Sequence, residues 1–144
     1  MEFFLISINP IDVFLWTFRK NERDVVNLYN TMSPVMQIAT GGSMLNFGYW
    51  SSEHLDPISA QENLCNIFGN LSELSTAKTV LDVGSGLSAP SKLWRDSYPD
   101  LNLYDVNINF KQLSFLKDTK NIEFLNSTST KLPFMDNSVD RVLA

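Results

Sequence analysis

The sequence predicts an α/β protein: a doubly wound parallel sheet, of which about four strands are present, preceded by a helical cap segment. Three observations carry that expectation. Thr79-Val80-Leu81-Asp82-Val83 is a short apolar run that stops abruptly in Gly84-Ser85-Gly86. Downstream of it, short β-rich runs alternate with segments of helical period. Upstream, apolar residues recur at three- and four-residue steps, which is the spacing of a helix face.

The elements follow in order. Residues 22–39 have helical spacing, with Val25, Val26, Leu28, Tyr29 and Met32 on or near one face, and Ser33-Pro34 predicts a break or kink. Thr40-Gly41-Gly42-Ser43 is a loop that leads into the aromatic stretch 44–50, which has no clear period. Asp56-Pro57 is a helix start, a capping acid followed by proline at the first helical position. Ala60, Leu64, Ile67, Phe68 and Leu71 then mark an amphipathic helix to about Leu74. After the first strand (79–83), helices are predicted over 89–97 and 110–117. Further strands are predicted over 101–106 and 122–125, and a fourth begins in 139–144. The domain reading is an apolar extension (1–21), a helical lid (22–75) and a ligand-binding α/β domain (76–144) that ends inside its fourth strand.

Composition narrows the function classes. The chain has 144 residues, 44% of them hydrophobic and 19% charged, and a net charge of −5. That is a globular balance, and it lacks the broad cationic footprint of a nucleic-acid binder. Arg19-Lys20 and Arg23 form the only local basic cluster. One cysteine, Cys65, allows no intrachain disulfide, and one histidine, His54, allows no multi-histidine metal site; no metal is expected. Met1 to Ile8 is apolar, but Asn9-Pro10-Ile11-Asp12 interrupts it well short of the roughly 20 residues of a spanning helix. A soluble cytoplasmic protein without stable membrane insertion is expected.

A strand, a glycine turn and a helix together make a nucleotide-binding device. Gly84-x-Gly86-x-x-Ala89 also satisfies the dinucleotide pattern of nicotinamide enzymes. Asp82 argues against that reading, because its carboxylate would repel a pyrophosphate. An acid at that point suits a cationic ligand, and S-adenosylmethionine, with its sulfonium and ammonium groups, is one.

The downstream segment adds Leu132-Pro133-Phe134, then Asp136-Asn137-Ser138, then Asp140 and Val142. In this order after Val80-Leu81-Asp82-Val83-Gly84-Ser85-Gly86, the chain resembles the Rossmann-like class I S-adenosylmethionine-dependent methyltransferases. It is closest to their small-molecule type 11 branch. Asn46-Phe47-Gly48-Tyr49-Trp50 resembles a segment found ahead of the domain in sterol, tocopherol and natural-product methyltransferases. The resemblance covers about Arg23 to Ala144.

The resemblance implies roles. Gly84, Ser85 and Gly86 would wrap the methionine part of the cofactor, with Asp82 serving its ammonium group. Asn107 stands where an acid normally holds the ribose hydroxyls; an amide can donate to one and accept from the other. If the register slips, Asp105 takes that role. Ile108 would pack on the adenine face. Thr128, between Ser127 and Ser129, stands where the family has an aspartate for the adenine amino group. Ser88 replaces a common glycine, a change that suits ordinary backbone angles. Tyr49 and Trp50 would close as a lid over the methionine end and the acceptor. His54 lies in a polar stretch that suits a surface position, and Asp136 and Asp140 suit turns and caps. No catalytic residue is named, because no convincing base is present.

The implied activity is methyl transfer to a small-molecule acceptor. Ending in its fourth strand, the chain reads as a truncated cofactor-binding portion, with a second chain supplying the remaining strands as a further expected partner. The rival readings are a non-catalytic cofactor-binding or assembly module and, less favoured, a nicotinamide oxidoreductase.

Overall fold

The computed structural model describes residues 10–18, 21–116 and 119–144. The readings of Met1–Ile8 as an apolar extension and of Arg19-Lys20 as a basic cluster lie outside the described residues. Helix α1 (Pro10–Leu15) runs into a 3-10 turn (Trp16–Phe18). Helices α2 (Glu22–Thr40) and α3 (Pro57–Leu71) follow, then a 3-10 turn (Leu74–Thr76). The α/β unit runs β1 (Thr79–Val83), α4 (Ala89–Ser97), β2 (Asn102–Asn107), α5 (Phe110–Leu113), β3 (Ile122–Asn126) and β4 (Arg141–Leu143).

Local chemistry sets the helix ends. The Asn21 side chain accepts from the Asp24 amide at the start of α2, and Gly41 ends it at φ 75°. Asp56 accepts from the Ser59 amide and Pro57 opens α3, the arrangement that a capping acid followed by proline favours. The break expected at Ser33-Pro34 does not occur. Helix α2 continues through Pro34, which lies in its interior. Proline removes the amide that would donate to the Asn30 carbonyl, but the turns on both sides persist, and α2 is docked on the rest of the molecule by side-chain hydrogen bonds described below. Helix α5 is also shorter than its predicted span, giving way to a turn after Leu113.

Among the described residues the sheet has four strands in the order β3-β2-β1-β4, and every pairing is parallel. Strand β1 is central, and residues on both sides of its pleat (Val80, Leu81, Asp82) are buried, as in a sheet covered on both faces. Val80, Leu103 and Ile122 pack with Cys65 and Leu74, and with Trp94 of α4, in the main core. Trp94 Nε1 donates to the Cys65 carbonyl at 2.9 Å. The absence of a side chain at Gly69 leaves room for that indole, since a Cβ there would lie 3.3 Å from Nε1. Asp140 fastens β4 to β1: its Oδ2 accepts from the amides of Lys78 (2.8 Å) and Thr79 (2.9 Å) and from Thr79 Oγ1 (3.0 Å). No helix among the described residues is long and apolar enough to cross a membrane.

Candidate cofactor site

A cavity of about 740 Å³ opens at the carboxyl ends of β1 and β2. It lies where the strand order departs from β1 in opposite directions, the position at which open parallel sheets bind ligands. Its floor is the turn after β1. Gly84 has φ 83° and Gly86 φ 57°, left-handed values that glycine adopts at little cost. A Cβ on Gly84 would meet no protein atom within 4 Å, so that backbone faces open space. A Cβ on Gly86 would press to 3.2 Å from Leu45 Cδ1, the residue that closes the turn from above.

Three amides of this turn are already committed. Gly84 N–H and Ser85 N–H both donate to the Val106 carbonyl, at 2.7 and 3.2 Å, and Ser88 N–H donates to the Ser85 carbonyl at 2.8 Å. Helix α4 has proline in its first turn, which removes a further donor. The turn therefore offers a bare backbone at Gly84, with the amides of Gly84 and Ser85 turned toward β2. Ser88 itself has φ 56° and is fully buried, with no partner for its hydroxyl. Ordinary backbone angles, the condition under which serine is tolerable at this position, are not met; the left-handed turn that glycine would accommodate is present all the same.

Asp82 lines the cavity and is buried. Burial, reinforced by the neighbouring Asp105 carboxylate and opposed by a hydrogen bond from Ser91, pushes its pKa up to about 7. Asp105 pairs with Asp82 in register on the adjacent strand and is fully buried. Burial raises its pKa to about 6, against the nearby Ser88 hydroxyl, the hydrogen bond from Ser91 and the charge of Lys92. Asp105 is absent from the cavity wall, so the slipped-register alternative, with Asp105 at the ribose, does not hold.

Asn107 and Ile108 line the cavity at the end of β2. The Asn107 amide is held by the protein. Its Nδ2 donates to the Gly86 carbonyl (2.9 Å) and to Gln112 Oε1 (2.8 Å), and its Oδ1 accepts from the Asn109 amide at 3.0 Å. Both donor hydrogens are engaged, so what remains for a ligand is acceptor capacity on Oδ1. Thr128 lines the cavity with Ser127, Ser129 and Thr130. Its hydroxyl donates to Glu22 Oε1 at 3.1 Å and shares a 3.2 Å hydrogen bond with Thr130.

Tyr49 and Trp50 are not brought to this cavity. Both are more than half exposed, and the cavity wall uses Leu45 and Asn46 from the same segment instead. The cause is Gly48, which sits against α3 so closely that a Cβ would lie 2.7 Å from the Ala60 carbonyl carbon. That seat, with Tyr49 N–H donating to the Ala60 carbonyl at 2.8 Å, turns the aromatic pair outward. Trp50 Nε1 donates to the Phe47 carbonyl at 3.0 Å. His54 Nδ1 is hydrogen-bonded to Ser51 Oγ at 2.8 Å, away from the cavity wall.

Helix α2 supplies the cover instead. Glu22, Val25, Val26 and Tyr29 line the cavity, and only the helical period around Val25 and Val26 hinted at this in the sequence. Asn30 Oδ1 accepts from Asn109 Nδ2 at 3.0 Å, and Ser33 Oγ accepts from Gln112 Nε2 at 2.7 Å. Cys65 closes the wall from α3, and burial pushes its thiol up to about 11. Among the described residues no group of three or more His, Cys, Asp or Glu side chains is arranged for a metal ion.

Residues 81–144 match the type 11 methyltransferase family, described as a methyltransferase domain. No curated protein matches the chain. Among solved structures, the [4+2]-cyclase SpnF shares 19% identity and a TM-score of 0.76, over 85% of this chain and 48% of that one. A protein of Anabaena variabilis ATCC 29413, ascribed to the methyltransferases of an antibiotic biosynthesis pathway, shares 23% identity with a TM-score of 0.50. That match covers 55% of this chain and 31% of that one. Human N-acetylserotonin methyltransferase, solved with SAM, shares 17% identity with a TM-score of 0.49, over 85% of this chain and 32% of that one. The chain therefore spans less than half the length of each. At these identities the likeness is one of fold, and the cyclase among them shows that one fold hosts different chemistries.

The fold is Rossmann-like, and residues 81–144 are similar to the methyltransferase domain of the type 11 family, whose cofactor is S-adenosylmethionine.

Proposed function

We propose that the cavity binds S-adenosylmethionine and that the chain is the cofactor-binding portion of an enzyme that methylates a small molecule. One observation carries the reading. A buried carboxyl, Asp82, stands beside a backbone position, Gly84, that faces open space, while the amides of Gly84 and Ser85 are engaged by Val106. A pyrophosphate needs free amides and no carboxylate; a cationic amino-acid head needs the reverse. The opposition to the nicotinamide reading is thus physical as well as a matter of resemblance.

The residues divide the work along the cavity. Asp82 faces the ammonium group, and Gly84, Ser85 and Gly86 let the methionine part lie against the main chain. Asn107 offers its remaining acceptor capacity to the ribose, and Ile108 packs on the adenine. Thr128 stands at the adenine amino group with Glu22 behind it. When bound, the cofactor supplies an activated methyl group, and the protein's part is to position donor and acceptor and exclude water. We assign exclusion of water to α2, as the main part of a lid unit over 22–75 that covers the α/β unit over 76–144. Tyr49 and Trp50, on the outer surface, carry no role in this scheme.

Calorimetry with S-adenosylhomocysteine and with NADH tests the reading. Binding of the first alone is the expected result. Binding of NADH alone would establish the oxidoreductase reading, and binding of neither would leave a degenerate module. Gly84→Ala provides the control. Its Cβ enters the ligand's space at φ 83°, and the expected loss of affinity for S-adenosylhomocysteine is at least about tenfold.

A further inference from the structure

Two acids on neighbouring central strands share one hydroxyl beneath the cavity. Asp82 and Asp105 are register partners on β1 and β2, so their side chains project from the same face of the sheet toward α4. Ser91 Oγ lies 2.6 Å from Asp105 Oδ1 and 3.3 Å from Asp82 Oδ2. A serine hydroxyl has one hydrogen. Donated along the short contact to Asp105, it leaves Ser91 able only to accept from Asp82, and Asp82 has a hydrogen to give only when protonated.

The surroundings favour that state. Asp105 Oδ2 is buried with no hydrogen-bond partner. Among the described residues no lysine or arginine forms an ion pair with either carboxyl. The groups that face the pair are Ser88, Ser91 and Lys92 from α4, and Cys65 from α3 with Glu62 beyond it. Lys92 is the one cation among them, and it is half-buried rather than paired. Two buried carboxylates without a paired cation repel each other and lose hydration, so one of them keeps its proton. Burial and mutual repulsion place the titration of Asp82 near neutrality.

We propose that Asp105, fixed by its short hydrogen bond from Ser91, is a positioning residue whose charge holds Asp82 protonated in the empty site, so that arrival of the cofactor's ammonium group expels that proton to solvent. The inference rests on the reading that the cavity takes this cofactor with its ammonium group at Asp82. No bond other than the Asp82 O–H breaks. The ligand's cation replaces the proton as the counter-charge, and Asp105 remains the carboxylate to which Ser91 donates. The geometry makes affinity pH-dependent: a cation that stabilises ionised Asp82 binds more tightly as pH rises toward the carboxyl's own titration.

Titration calorimetry of S-adenosylhomocysteine from pH 5.5 to 8.5, in buffers of different ionisation enthalpy, reads both consequences. The expected result is release of up to one proton near pH 6.5. Affinity should rise with pH, by at most about tenfold per unit, and level off near pH 8. Asp105→Asn should move the rise to lower pH by a unit or more and abolish proton release at neutral pH. Binding that is equally tight at every pH, with no proton released, would overturn the inference and leave the cofactor reading standing. Absence of binding at any pH would overturn both. Carbon-13 carboxyl titration of the ligand-free protein gives a readout that needs no ligand. One aspartate should titrate near neutrality and shift downward in Asp105→Asn or, should that variant not fold, in Asp105→Ser. Two ordinary aspartate titrations would refute the arrangement.

Discussion

Gln112 and Ser33, 79 positions apart in the chain, meet through a 2.7 Å hydrogen bond from Nε2 to Oγ. Ser33 Oγ in turn donates to the Tyr29 carbonyl at 2.6 Å, and Gln112 Oε1 accepts from Asn107 at 2.8 Å. With the bond from Asn107 to the Gly86 carbonyl, these contacts form one polar line from the glycine turn to the helix that covers it. Each of Ser33, Asn107 and Gln112 is buried. Such lines hold a single arrangement only while every member is satisfied.

Breaking that line at Gln112 should therefore loosen the cover as well as the fold. Gln112→Leu leaves Asn107 Nδ2 and Ser33 Oγ each short of a partner, at an expected cost of about 1–3 kcal/mol. Urea unfolding measures the cost. Hydrogen exchange should show lost protection in α2 before any in β1, and uniform loss across both would refute the link.

Ser88 offers a cleaner test of backbone strain. At φ 56° a side chain is disfavoured whatever its chemistry, and the Ser88 hydroxyl has no partner to compensate. Ser88→Gly and Ser88→Ala both delete the hydroxyl, but only glycine relieves the strain. The glycine variant should be the more stable of the two by about 1–2 kcal/mol, read as a difference in denaturant midpoint. Equal midpoints would mean that the turn relaxes when serine is removed.

Asp140 and the Asp82–Asp105 pair should drive stability in opposite directions with pH. Backbone hydrogen bonds from Lys78 and Thr79 hold the Asp140 carboxyl below its ordinary value. Its contribution is present above the unfolded value near 3.8 and is lost as pH falls through the depressed one. Asp140→Ala should thus lower Tm at pH 7 and do so less with each step below pH 4. Asp82 and Asp105 are raised instead, to about 7 and about 6. They bind more protons in the folded protein than in the unfolded one, so the empty protein loses stability between about pH 4 and 7. Asp105→Asn should flatten that decline, and thermal melts across the range check both signs.

The contrast between Gly84 and Trp50 shows how far the sequence could be read. Strand β1, its glycine turn and the order of the sheet were legible because apolar runs and glycines act locally, and parallel pairing follows from alternation with helices. Asn107 and Thr128 are assigned by the family resemblance, through their register with its motifs. The commitment of the Asn107 amide to Gln112 was not legible, since it depends on how α5 turns five residues later. Tyr49 and Trp50 were misplaced because their direction is set by the fit of Gly48 against Ala60, a tertiary contact without a local signature. Of the break or kink that Pro34 predicts, the break does not occur, because α2 is held by Gln112 and Asn109 from another part of the chain. Ser91 escaped notice altogether: only the register of β1 with β2 gives one serine two acids to serve.

The chain's single sulfhydryl is Cys65, set in the cavity wall with its acidity suppressed by burial. At neutral pH almost none of it is thiolate, the species that alkylating reagents attack. Iodoacetamide should then modify the protein only in moments when α3 draws back from the sheet. The rate of that modification becomes an intrinsic clock for breathing of the pocket, slowed by whatever small molecule fills it and readable by mass with no label introduced.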